Sequence, residues 1–242
     1  MWLKCLGSSS QGNCYVLKAS NNDKLIIEAG LKFKDIKSGL DFDLSQIAGC
    51  IVSHEHKDHS KSIADMLCAG IRVYALESVL QGTHHPYAKI IQPAHGYNIN
   101  GFRVFVFSVF HDVPCAGFII THDEMGKLLF LTDTMMCEYK FDGINHFMIE
   151  ANYDDATLDY NIEHGYQPSS MRDRLLHSHM ELQTTIGILK SNDLSQAHEV
   201  ILLHLSSRNS RKEYFAKSVQ NAVGLPCYIA QKNFEIELLK NQ

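Results

Sequence analysis

Three histidines and two acids stand within the seven residues Ser53-His54-Glu55-His56-Lys57-Asp58-His59. In extended backbone, side chains two apart project to the same side, so His54, His56 and Asp58 can converge while Glu55 and Lys57 point away. His59 falls at the bend that follows and reaches a second point beside the first. Neutral imidazoles together with a hard carboxylate are borderline donors, suited to zinc and also to manganese or iron. A plain solvated loop would be interspersed with turn residues, and this stretch is not.

Rigid elements must flank such a motif. Ile47 to Val52 reads as the end of a buried strand. Ser60 to Ala69 reads as a helix, with Ile63, Met66 and Leu67 at i, i+3, i+4 and Gly70 as its cap. Ile71 to Ala75 then completes a βαβ step. Three further apolar runs end in side chains able to bind metal: Gly101 to Phe110 before His111, Lys127 to Leu131 before Asp133, and Glu199 to Leu203 before His204. Taken singly, each is an ordinary strand end.

Other points carry weaker signals. Leu6 to Asn13 is a glycine-punctuated loop between two short strands; it serves as a hairpin connection, and its hydroxyls and N–H groups can also hold an anion. Glu150 interrupts the apolar run Phe147-Met148-Ile149 and needs a partner. Helices are expected over about Ala156 to Glu163, Met180 to Lys190 and Arg211 to Ala222, with strands at Pro226 to Ala230 and Phe234 to Leu238. His177-Ser178-His179, just before the second helix, is the next histidine-dense point. His84, His85 and His95 lack an acidic partner and read as surface or substrate-pocket residues.

With 242 residues, 45% hydrophobic and 20% charged, the chain has the composition of a globular protein, and without repeats or linkers a single domain over 1–242 is expected. No apolar run approaches the roughly 20 residues that span a bilayer. The start Met1-Trp2-Leu3-Lys4-Cys5 lacks the layout of a signal peptide, so cytoplasmic residence is expected. Seven cysteines without a C-x-x-C pair suggest buried thiols in a reducing compartment. A net charge of −5 argues against a surface that coats nucleic acid broadly; it leaves room for a site gripping one or two phosphates.

The spacing H-x-H-x-D-H, followed in order by His111, Asp133 and His204, resembles the metallo-β-lactamase superfamily over nearly the whole chain. That resemblance implies an α/β (α+β layered) fold, a four-layer αββα sandwich, with two divalent metal ions. His54, His56, His111 and Asp133 would hold the first, and Asp58, His59, His204 and Asp133 the second. It also implies a hydroxide shared by the ions as nucleophile, with Asp58 nearest to a general base and His179 at the pocket edge as proton donor or phosphate holder. Glu28-Ala29-Gly30 stands where the superfamily usually has Asp-x-Gly, whose acid braces the metal loop.

Within the superfamily, Gly7-Ser8-Ser9-Ser10-Gln11-Gly12-Asn13, Glu150 to Asp154, Ser178-His179-Met180 and His204-Leu205-Ser206 look like the bacterial YycJ (WalJ) group, whose members include 5′ to 3′ DNA exonucleases. Ser178 and Met180 depart from that group's usual Gly-His-Leu. Only 71 residues separate Asp133 from His204, too few for the extra domain of β-CASP nucleases. The expected function is a metal-dependent phosphodiesterase acting on DNA ends, with Ser9, Asn13, Asn152 and Asn209 contacting the nucleic-acid substrate. The competing enzyme reading is hydrolysis of a thioester, lactone or β-lactam, since the same ions polarise a carbonyl. A two-iron oxidoreductase usually has an acid in place of His56, and an interaction module without catalysis would not fill every ligand position.

Overall fold

Among residues 1–240, which the computed structural model describes, fourteen strands pair into two seven-stranded sheets. The first six are β1 (Trp2–Gly7), β2 (Cys14–Lys18), β3 (Lys24–Ile27), β4 (Ile47–Val52), β5 (Val73–Ala75) and β6 (Ala88–Ile90). There follow β7 (Gly96–Ile99), β8 (Phe102–Val109), β9 (Cys115–His122), β10 (Gly126–Leu131), β11 (His146–Glu150), β12 (Glu199–Leu203), β13 (Cys227–Ile229) and β14 (Phe234–Glu237). One sheet has the order β14-β1-β2-β3-β4-β5-β6, the other β13-β12-β11-β10-β9-β8-β7. The last strand thus returns to close the edge of the first sheet beside β1.

Strand periodicity sorts the side chains into layers. Leu25, Ile27 and Ile51 from one sheet meet Phe130, Met148, Ile201 and Leu203 from the other in the central core. Their neighbours Ile26, Cys50 and Val52 face outward beneath the helices Phe33–Gly39 and Ile63–Cys68. On the opposite side, Leu129, Phe147, Ile149 and Leu202 pack under the helices Leu182–Ser191 and Lys212–Val223. Being buried on both faces, these strands read as continuous apolar runs. The result is a four-layer αββα sandwich. Each fully buried Leu, Ile or Phe contributes about 1.5–3 kcal/mol, so the fold rests on the layers and not on any one polar residue at their edge.

Strand direction decides where the polar residues emerge. β8 and β10 are each antiparallel to β9, and β10, β11 and β12 are mutually parallel. The chain therefore leaves β8, β10, β11 and β12 at one edge of the sandwich, where His111, Asp133, Asn152 and His204 follow. In the other sheet β3 and β4 run parallel and deliver Glu28 and His54.

Several expectations change in detail. The helix expected from Ser60 to Ala69 is two pieces, Lys57–Ser60 and Ile63–Cys68. The carbonyls of Asp58 and His59 accept from Asn13 N at 2.8 Å and Ala29 N at 2.7 Å, and Ser62 N donates to Ala29 O at 2.9 Å. These groups serve the sheet instead of the helical ladder. His179 does not open a helix: it caps the C-terminus of Ser170–Ser178, which was not expected, and the next helix begins at Leu182. That extra helix carries one apolar contact face, Met171 and Leu175 against Tyr153 and Leu158, too little to show as periodicity. No helix among the described residues is long and apolar enough to cross a membrane.

Candidate metal centre

The motif is held from both sides. Ser53 O accepts from Ala116 N at 3.1 Å, tying the end of β4 to the start of β9. The Ser53 hydroxyl lies 2.8 Å from His54 Nδ1, which leaves Nε2 of that ring aimed inward. Behind the turn, Glu28 takes the Ser53 N–H at 3.3 Å and faces His59 Nδ1 at 3.4 Å. It braces the loop without reaching the centre.

Gly30 allows the closest approach. A Cβ built there would lie 1.6 Å from the carbonyl oxygen of Asp58. The Gly30→Ala variant is expected to push the Asp58 turn away from β3 and to lose roughly 1–3 kcal/mol or more of stability. Urea unfolding would read this as a lower midpoint at unchanged slope, accompanied by weaker metal uptake.

Two groups of four potential ligands result, each with donor atoms within 4.8 Å of one another: His54, His56, His111 and Asp133, and Asp58, His59, Asp133 and His204. Asp133 is common to both. In the first group the rings of His54, His56 and His111 form a triangle with centroid separations of 4.7, 4.8 and 5.0 Å. In the second, Asp133 Oδ2 is 3.3 Å from His59 Nε2, and Asp58 Oδ2 is 3.4 Å from His204 Nε2. A third group, Asp133, Glu150, His179 and His204, adjoins these. There Glu150 Oε1 lies 2.7 Å from His179 Nδ1 and 3.3 Å from His204 Nδ1, and Glu150 also takes the Thr134 N–H. These are the partners that an acid inside an apolar strand required.

The electrostatics fit cations. Burial holds His54 and His111 below the usual histidine range, so both rings present neutral lone pairs. Burial, the largest single influence, acts the same way on His59 and His204, but Asp133 with Glu28 around the first, and Asp133 with Asp58 and Glu150 around the second, together lift both, His204 to about 10. Asp133 itself is disfavoured as an anion by burial, yet His204 and His59 hold it well below the usual carboxylate value. The buried carboxylates thus demand positive charge. Meanwhile His54 Nε2, His59 Nδ1, His111 Nδ1 and His204 Nε2 are buried without a hydrogen bond among the described residues. An inward-facing ring nitrogen left over in this way, such as Nε2 of His54 or His204, is what a bound cation would satisfy.

Backbone strain marks the same residues. Glu28, Asp133 and His204 have φ of 68°, 46° and 51°, the left-handed region that non-glycine residues seldom occupy. Each stands just past a strand; Asp133 and His204 then turn toward the centre, and Glu28 toward the loop that carries His59. Such strain gathers at functional sites.

Other expected site residues are placed differently. Ser9 lies half-exposed in the loop between β1 and β2. Asn13, Asn152 and Asn209 are buried and hold internal bonds. Asn13 Nδ2 lies 2.9 Å from His59 Nε2, Asn152 Nδ2 donates to His204 O at 2.7 Å, and Asn209 Nδ2 donates to Gln167 at 3.2 Å. Short amide side chains at strand ends look alike in sequence whether they brace or contact. His84 and His85 line a cleft that also contains His56, while His95 is exposed and bonds to Pro93 O. Asp112 was not anticipated. Its 55% exposed carboxylate lies 3.1 Å from His111 Nε2 and 3.5 Å from His56 Nε2, at the mouth of the first group.

No protein-family model matches the chain. The exodeoxyribonuclease YycJ of Bacillus anthracis is 25% identical over 248 residues, covering 96% of this chain and 92% of that protein. Among solved structures, the metallo-β-lactamase fold protein YhfI from Bacillus subtilis superimposes with a TM-score of 0.73 at 16% identity, covering 98% of this chain and 99% of that one. Zn²⁺-bound PqqB from Methylobacterium extorquens gives 0.71 at 13% identity, over 98% and 100% of the two chains. These likenesses extend over nearly the whole chain: it has the metallo-β-lactamase fold and resembles the YycJ exodeoxyribonuclease.

Proposed function

We propose that this protein is a phosphodiester hydrolase working with two divalent metal ions, a nuclease that acts on DNA ends with 5′ to 3′ polarity. The observation that carries this reading is Asp133, one buried carboxylate common to two four-residue groups. Likeness to an exodeoxyribonuclease along nearly the whole chain supports the substrate class. His54, His56, His111 and Asp133 would hold one ion and Asp58, His59, His204 and Asp133 the other, and zinc or manganese suits such a donor set. Bound there, the ions would polarise a phosphoryl oxygen, favour deprotonation of water and stabilise the leaving oxygen. Residues 1–242 act as one cytoplasmic domain in this reading, since the core between the sheets draws on Met1 and Leu238 alike.

The chain's own residues supply orientation and proton transfer. Asp58, with a side chain 22% exposed, has an oxygen free to orient the attacking water and accept its proton. His179 has its Nδ1 engaged by Glu150, so Nε2 is left to donate to the leaving oxygen or to hold a phosphate. Burial lowers the pKa of His179, but Glu150 outweighs it and holds it above the usual histidine value, a shift that favours the protonated ring. Ser9 can present its hydroxyl to a substrate phosphate.

Turnover of bis-p-nitrophenyl phosphate, nitrocefin, a thioester and 5′-labelled DNA by the manganese- or zinc-loaded protein tests the reading. Phosphodiester cleavage is expected; cleavage of the carbonyl substrates alone would replace it with the second reading. In the same assay His179→Ala should slow the DNA reaction by about 10²-fold. It should cost far less with p-nitrophenolate, a leaving group that needs no proton.

A further inference from the structure

A cleft of about 770 Å³ adjoins the centre and is lined by Lys4, Lys32, Lys61, Lys212 and Lys232, against only two acids, Asp35 and Asp41. In a chain of net charge −5 such a concentration is local, not compositional. Lys4 is paired with Glu235 at 3.1 Å, and Lys212 Nζ donates to Gln231 Oε1 at 3.3 Å. Among the described residues, Lys32, Lys61 and Lys232 form no ion pair, and all three are exposed. Serine hydroxyls, including Ser8, Ser9 and Ser206, line the same walls.

Two lining serines tie the wall of the cleft to the backbone around His204. Ser8 Oγ accepts from His204 N at 3.0 Å, and Ser206 N donates to the carbonyl of Asn152, whose side chain holds His204. Lys61 also lines the neighbouring cleft that contains His56. A chain of phosphates lying along these lysines would therefore lead to the residues of both candidate ligand groups.

We infer that this cleft is the track for the single strand of nucleic acid whose end is cleaved, gripping its phosphates through Lys32, Lys212 and Lys232. This inference rests on the phosphodiesterase reading and adds where the rest of the substrate lies. Among the described residues, no aromatic ring lines the cleft. Base stacking, the usual second component of single-strand binding, is absent there, so recognition is of the backbone and indifferent to sequence.

The test compares the metal-loaded protein with its Lys32→Gln/Lys212→Gln/Lys232→Gln variant. One probe is bis-p-nitrophenyl phosphate, and the other is a cleavage-resistant phosphorothioate strand of about 12 nucleotides. Anisotropy across a salt series should show the variant binding the strand roughly 10- to 100-fold more weakly, with the slope of log K against log salt smaller by about 2. Turnover of the small diester should not change. Unaltered affinity and slope in the variant would overturn the track while leaving the phosphodiesterase reading intact. Strand binding through these lysines by a protein that cleaves no diester would uphold the track and remove that reading.

Discussion

Replacing Asp58 by alanine should lower phosphodiester turnover by roughly 10²–10⁴-fold and leave the fold in place. The carboxylate, like the His56 ring, still reaches solvent, while the Asp58 backbone does the structural work. The carbonyl of Asp58 accepts from Asn13 N, and that bond survives in alanine. Burial disfavours the Asp58 anion, but His204 and His59 outweigh it and keep the group ionised well into the acid range. Its loss removes one negative charge near Asp133, so the metal-free protein has no reason to unfold. Turnover numbers and melting curves on the same purified sample separate the two effects. Near-full turnover with metal content unchanged would remove Asp58 from the chemistry.

Chelation should lower the melting temperature by on the order of 10–30 °C, the upper end when both ions are lost. An ion present at about 1,000 times its dissociation constant stabilises by about 4 kcal/mol, and a chain of this size gains about 2–4 °C per kcal/mol. The loss should be greater at pH 8 than at pH 6. Ions must displace the protons that Asp133 helps His59 and His204 to hold, so apparent affinity rises with pH, by up to about tenfold per proton released per unit. The metal-free protein moves the opposite way. A histidine whose pKa is raised to about 10 on folding, as for His204, adds stability that is complete below its usual value of 6.5 and disappears as pH climbs toward 10. Differential scanning fluorimetry with and without EDTA across this range checks both signs. A melting temperature indifferent to chelator at every pH would mean that no ion is held.

Most of the strands were legible because, buried on both faces, they leave unmistakable apolar runs, as at Leu25 to Ile27 and Val200 to Leu203, while their layering was implied by the family resemblance. The stretch from His54 to His59 was legible as a donor cluster because its donors stand close in sequence. The extended backbone expected to bring Asp58 beside His54 and His56 gives way to the helical turn Lys57–Ser60, which places Asp58 with His59 in the second group. What could not be read depends on distant backbone. The break in the helix after Ser60 arises from bonds to Asn13 and Ala29, dozens of residues away. Left-handed φ at Glu28, Asp133 and His204 has no signal beyond the mild tolerance of Asp and His for that region.

The asparagines show the same limit. Asn13 and Asn152 sit beside the ligand candidates in sequence and in space, but side-chain direction turns them into braces for His59 and His204. Glu150 was recognisable as an acid in need of a partner, whereas the identity of that partner, His179, depended on a helix at Ser170–Ser178 whose single apolar face left no periodic trace. Asp112 stands directly after a ligand candidate, and no spacing in the sequence set it apart.

Anomalous diffraction from crystals grown with manganese or zinc is the most direct test of paired metal binding. Two peaks about 3.5–4 Å apart are expected, both touching Asp133, one facing His54, His56 and His111 and the other facing Asp58, His59 and His204. A cleft without ions under those conditions, or a lone ion remote from Asp133, would show that these side chains were assembled for something other than two-metal hydrolysis.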